Sequence, residues 1–173
     1  RHLFLHGNQL TGGLPSSITS LTNLIDSGSS VRWNGLYTAD SGIRDFMNTK
    51  QTSGDWESTQ TIAPIGVTAG EATYNSIKVS WTPIQYQSGG GGYMVYYSTT
   101  PGSGYTLSGT TADKAADNHT VTGLSADTTY YFVVEAFTDP HTDNQNTVTA
   151  EYSAEVSAAT LEILDITVIT PNG

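Results

Sequence analysis

Four histidines and one polar run are the residues of this chain whose types could do chemistry. The histidines are His2, His6, His119 and His141. Imidazole is the side chain that takes up and releases protons near neutral pH. A hydrolytic site would also need a nucleophile and an orienting acid in reach of the ring. Serines and aspartates are abundant, yet none stands in a G-x-S-x-G or comparable spaced signature. His6 falls on the outer side of a turn and His119 opens a strand, so chance placement explains both. The run Asp139-Pro-His141-Thr-Asp143-Asn-Gln-Asn146 is dense in oxygen atoms of the kind hard cations prefer. It lacks the Gly and closing Glu of an EF-hand loop. A loose calcium site is the alternative there to a solvated loop. There are no cysteines, which removes disulfides, zinc ribbons and thiol nucleophiles. No catalytic residue, cofactor site or metal site is assigned, and the chain is read as non-enzymatic. Asn118-His119-Thr120 is an N-glycosylation sequon, relevant only to a eukaryotic secretory source.

Composition narrows the partners. Six Lys plus Arg stand against sixteen Asp plus Glu, for a net charge of −10 over 173 residues. Nucleic acid and anionic membranes select basic patches, so neither fits. No apolar run approaches the ~18 residues of a membrane span, and no signal peptide opens the chain. Plentiful Thr, Ser, Gly and Tyr, with few charges, suit secreted all-β modules.

The elements that would carry these residues fall into three stretches. In residues 1–60, Leu3, Leu5, Asn8 and Leu10 spell L-x-L-x-x-N-x-L, followed by Thr11, Gly12, Leu14 and Pro15. Ile18, Leu21 and Leu24 continue the apolar spacing. Val31, Asn34 and Leu36 repeat Leu5, Asn8 and Leu10 in a worn second copy. This pattern resembles the plant-type leucine-rich repeat, in which leucines fill a solenoid and the Asn bonds backbone groups of neighbouring turns. The resemblance implies that Asn8 and Asn34 are structural. It also implies further repeats before Arg1, since a few repeats cannot bury a core. Thr38–Thr49 predicts a short capping helix, with Asp40 as N-cap and Ile43, Phe46 and Met47 at helical spacing. Trp33 and Trp56 are read as packing residues, Trp56 as a lid, in preference to sugar-stacking platforms.

Residues 61–160 alternate at period two. Ile77, Val79 and Trp81 form one strand, Tyr93, Val95 and Tyr97 another, and Tyr105 with Leu107 a short one. Tyr130, Phe132, Val134 and Ala136 share the inner face of a long strand; Tyr152–Thr160 closes the set. Leu124, Thr128 and Tyr130 sit as in a tyrosine corner, where the ring packs on the core and the hydroxyl bonds to upstream backbone. With the Trp-Thr-Pro after Val79, these landmarks resemble a fibronectin type III domain. The implied fold is mainly β: the end of a leucine-rich repeat solenoid with a short capping helix, then a seven-stranded immunoglobulin-like sandwich. Trp81, Leu124 and Tyr130 are its structural residues. The resemblance makes Asp139, His141, Asp143 and Asn146 part of the F–G loop, used for recognition in that family. Ser88–Gly92 reads as a flexible turn, and the short linker before Pro64 predicts stiffly held units. In residues 161–173, Ile166, Val168, Pro171, Asn172 and Gly173 resemble the opening strand of a further immunoglobulin-like module. That implies either a following module or self-association by strand addition.

The function expected from these resemblances is a non-catalytic extracellular or cell-surface adhesion or recognition fragment. Its partners would be a protein or carbohydrate ligand and neighbouring modules of its own chain. The alternatives are a filament or surface-layer subunit and the accessory part of a secreted hydrolase.

Overall fold

The computed structural model describes residues 1–164. Residues 1–61 wind as coils that stack side by side in parallel. β1 (Thr11–Gly13) pairs in parallel with β2 (Gly35–Tyr37). Phe4 bridges Ser30 and Ser29 bridges Gln51 in the same sense. Such stacking leaves polar groups between the coils, and side-chain amides take them up. Asn34 is fully buried. Its Nδ2 donates to the carbonyls of Leu5, Val31 and Arg32 at 2.9, 3.0 and 3.1 Å, and its Oδ1 accepts from the Leu10 amide at 3.1 Å. Gln51 and Gln60 do the same one coil further on, accepting from the amides of Val31 and Leu36. Asn8 differs from its expected role. It is exposed, and its side chain bonds only the carbonyls of Leu5 and His6 in its own coil.

After β2 comes the one α-helix of the coils, α1 (Ser41–Lys50). Asp40 Oδ1 accepts from the amides of Gly42 and Ile43 at 2.7 and 3.2 Å, satisfying two donors that a helix start leaves free. Ile43 and Met47 turn inward onto Val31, Leu36 and the fully buried Trp56. This is a small core. On about 25 cal/mol per Å² of apolar area it stabilises these coils only modestly.

The sandwich follows from Ile65. One sheet has the order β3 (Ile65–Gly70), β4 (Ser76–Thr82), β7 (Asn118–Thr122). The other runs β10 (Val156–Ala159), β8 (Thr129–Thr138), β5 (Gly92–Ser98), β6 (Thr106–Thr110), with β9 (Val148–Thr149) also on β8. All these pairings are antiparallel. The alternating residues meet between the sheets: Ile77, Val79 and Trp81 face Tyr93, Val95, Phe132 and Val134. Trp81 and Tyr93 pack with ring centroids 5.1 Å apart. The Tyr130 hydroxyl accepts from the Ser125 amide at 2.9 Å, and the Leu124 amide donates to Asn75 O at 3.0 Å. Those two bonds pin the turn between β7 and β8.

Two further expectations differ from the fold. The last strand begins at Val156, so Tyr152 lies outside it and is 46% exposed. Ser88–Gly92 is no mere flexible turn. A Cβ at Gly91 would lie 2.1 Å from Phe137 O, and one at Gly89 would lie 2.8 Å from the His141 ring. Both glycines have positive φ, so only Gly lets this turn press on the end of β8. Ile166, Val168, Pro171, Asn172 and Gly173 lie outside the described residues.

Candidate functional site at the junction of the two units

The loop expected to serve recognition lies against the chain's own coils, although Asp139, Asp143 and Asn146 themselves stay exposed and His141 is half-buried. After β8 the chain runs through 139–147, and its central amide, Asn144, is 2% exposed. Asn144 Nδ2 donates to Trp33 O at 2.8 Å and to Asn8 O at 2.9 Å. Its Oδ1 accepts from the Asn146 amide, which holds the loop in shape. Gln9 Nε2 donates to Thr147 O at 2.9 Å from the other side. Gly7 is required here, because a Cβ would sit 2.7 Å from Asp143 O and its φ is +67°. Trp33 also has a positive φ, 55°, a costly state for a bulky residue. Its ring packs partly buried against the sandwich core and lies edge-on to His141 at 6.5 Å, so docking holds the strained backbone in place.

Beneath the loop is a buried polar chain that no sequence motif marks. The Thr61 and Thr138 hydroxyls are 2.6 Å apart, and Lys114 Nζ donates to Thr138 Oγ1 at 3.0 Å and to the Ser88 carbonyl. Lys114 is 2% exposed, and its ammonium lies 4.3 Å from the Tyr86 ring centre. Burial pulls its pKa down from 10.5 to about 8, although nearby Asp139 acts the other way. Tyr86 reaches His141 Nε2 at 3.3 Å, and the same imidazole meets Trp33 of the coils with ring centroids 6.5 Å apart. Asp139 accepts from the Gly91 amide at 2.9 Å, and Asp143 lies 3.8 Å from His141 Nδ1. Among the described residues no three acidic or histidine side chains converge as a metal would require.

The remaining histidines are dispersed. His119 approaches Ser108 Oγ at 3.1 Å on the sandwich, with burial lowering its pKa. No acid is bonded to the ring's other nitrogen. Asn118 is exposed at the start of β7 and bonds Asp117. On the coils His2 stacks on Phe4 at 5.7 Å, and Phe4 meets His6 edge-on at 6.1 Å.

Residues of both units also line an open cleft of about 570 Å³. Tyr37 of β2 and Tyr152 stand at its walls, 43% and 46% exposed. Ile62, Pro64 and Val67 line it. Arg44 is committed inside the cleft, bonding Glu57 at 2.6 Å and Thr38 O at 2.9 Å. The Tyr37 hydroxyl donates to Glu151 at 3.3 Å. From Tyr152 the aromatic surface continues to Tyr96 at 5.3 Å and Tyr105 at 5.6 Å on the outer face of the sheet. Their hydroxyls donate to Glu135 and Glu155 respectively. Burial and those carboxylates push both phenols up to about 12. No helix among the described residues is long and apolar enough to cross a membrane.

Comparison with known proteins places part of this chain. The family model described as fibronectin type III domain matches residues 62–151. Exoglucanase A of Cellulomonas fimi is 36% identical over 115 residues, which is 65% of this chain and 12% of that protein. The chain therefore spans only 12% of the length of this curated relative. Among solved structures, a Fn3-like protein from Clostridium thermocellum is 28% identical with a TM-score of 0.45, covering 61% of this chain and 98% of the other. A human fibronectin type III domain is 17% identical with a TM-score of 0.46, covering 65% and 85%.

Proposed function

The chain belongs to the fibronectin type III family through residues 62–151, and from that premise we propose that it is a non-catalytic segment of an extracellular modular protein in which the sandwich is a stiff mount for the coils before it. In this reading residues 1–60 are the end of a leucine-rich repeat solenoid with its cap. Their parallel stacking and the Asn34 amide between coils support it. The solenoid presents ligand at a cell surface, and the sandwich fixes its direction.

The observation that carries the proposal is the 139–147 loop. A spacer of independent beads would leave it free. Here it is bonded through Asn144 to Asn8 and Trp33, while Thr61 leads directly from one unit into the other. Two attachments on either side of a short linker stop both bending and twisting. Residual dipolar couplings test this. Amides of 3–60 and of 65–160 should report one common alignment tensor. Two different tensors would refute the mount.

A second reading, accessory modules of a secreted hydrolase, is favoured by the likeness to an exoglucanase. It assigns the same mechanical role and differs in what lies beyond the segment. The chain's own surface then decides what the segment touches.

A further inference from the structure

We propose that the junction cleft and the tyrosine surface leading out of it form a binding site for a neutral polysaccharide chain. The inference goes beyond the mount and rests on it only in requiring the cleft's two walls to be held together.

A cleft of about 570 Å³ falls within the range of small-molecule sites, roughly 300–1,000 Å³, and takes a few sugar rings. Its walls are the right material. Tyr37 and Tyr152 expose ring surface on which the apolar C–H faces of pyranoses pack. Tyr96 and Tyr105 continue that surface from Tyr152 in steps of 5.3 and 5.6 Å, so a chain could run out of the cleft over the sheet. Three of the four rings are tethered by their hydroxyls: Tyr37 to Glu151, Tyr96 to Glu135, Tyr105 to Glu155. Rings already fixed lose little conformational entropy when a ligand stacks on them.

Hydrogen-bond polarity selects the class of ligand. The tethered phenols spend their only donor on a carboxylate, and Arg44 spends donors on Glu57 and Thr38 O. What remains facing the ligand is mainly acceptor: carboxylate oxygens of Glu57, Glu151, Glu135 and Glu155. An extended Pro-rich peptide offers carbonyl acceptors and finds few donors here. A sugar offers hydroxyl donors at every ring. The carboxylates outnumber the single paired guanidinium on a chain of net charge −10, so uronate or sulfated polymers are repelled.

Affinity electrophoresis of residues 1–173 in gels containing hydroxyethyl cellulose, xyloglucan, galactomannan or polygalacturonate tests this. At least one neutral polymer should retard the protein, with or without added salt, and polygalacturonate should not. Tyr152→Ala and Tyr37→Ala should each weaken retardation about tenfold, the equivalent of ~1.4 kcal/mol. Tyr152→Trp, which keeps a ring, should preserve it. Retardation by none of the neutral polymers would overturn the proposal. So would retardation that ignores both Ala variants, or binding confined to an arginine-rich peptide and abolished by salt. Dipolar couplings on the same samples separate the two ideas: one alignment tensor with no retardation leaves the mount intact and removes the polysaccharide site.

Discussion

Replacing Asn144 with Ala removes the side chain through which the sandwich grips the coils, and the size of the effect follows from its contacts. Two donated bonds disappear, at 2.9 Å to Asn8 O and 2.8 Å to Trp33 O, from a residue 2% exposed. Each such bond is worth ~1 kcal/mol net, and a carbonyl left dry adds to the loss, so about 2 kcal/mol is a lower figure. The cost should be local. The coils rest on a small core of Val31, Leu36, Ile43, Met47 and Trp56, whereas the sandwich has its own larger core. Hydrogen exchange by mass spectrometry reads it directly. Peptides from 1–37, whose amides at Leu5 and Gly35 bond between coils, should exchange about 30-fold faster, the equivalent of 2 kcal/mol. Peptides from 76–98 should be unchanged. Acceleration under about threefold in 1–37, equivalent to less than ~0.7 kcal/mol, would show that the loop merely lies against the coils. Equal acceleration in both segments would show that coils and sandwich open as one unit.

Other perturbations follow from the same geometry. Tyr130→Phe deletes the bond from the Ser125 amide and should cost about 1 kcal/mol, lowering the melting temperature by roughly 2–4 °C in calorimetry. Asn34→Leu strands buried groups in two coils and should cost several times more than Asn8→Leu, whose amide is exposed and bonds only its own coil; urea denaturation of the two variants compares them. Lys114 gives a pH test. Its folded pKa of about 8 lies below the ordinary 10.5, so between those values the unfolded chain holds more protons and stability from this group rises with pH. The cost of burying its charge is fully present below pH 8. The stability of wild type relative to Lys114→Met should therefore climb between pH 8 and 10.5, by on the order of 3 kcal/mol. Denaturation midpoints that differ by the same amount at both ends of that window would rule this out.

What could be read in advance was local. Period-two alternation in β4, β5 and β8 survives because one face of each is buried, and Tyr130 betrays its corner through the turn before it. Asp40 is legible because capping is settled within three residues. Asn144 was invisible for the opposite reason: its partners, Asn8 and Trp33, are more than a hundred positions away, and nothing in a polar loop distinguishes an amide that meets water from one that meets a carbonyl. Lys114 carries no sequence mark of burial, and only the closing of Ser88 and Thr138 over it makes it a buried cation. The glycines at 89 and 91 announced a turn without announcing the strand end that presses on it. The cleft belongs to neither unit, so no pattern within either could reveal it.

The 139–147 loop has a consequence for how such a chain can be inherited. Modules spread through genomes when each can be cut out and pasted beside new neighbours, and the loops at the ends of a sandwich are ordinarily the parts that drift first. Here one of those loops is fitted to Gly7, Asn8 and Trp33 in the preceding coils. Transplanted alone, the sandwich would carry a buried-type asparagine into water and leave the coils without their grip. The piece that can be exchanged intact is the last coils, the cap and the sandwich together, and a substitution in the loop is answerable to residues encoded more than a hundred codons upstream.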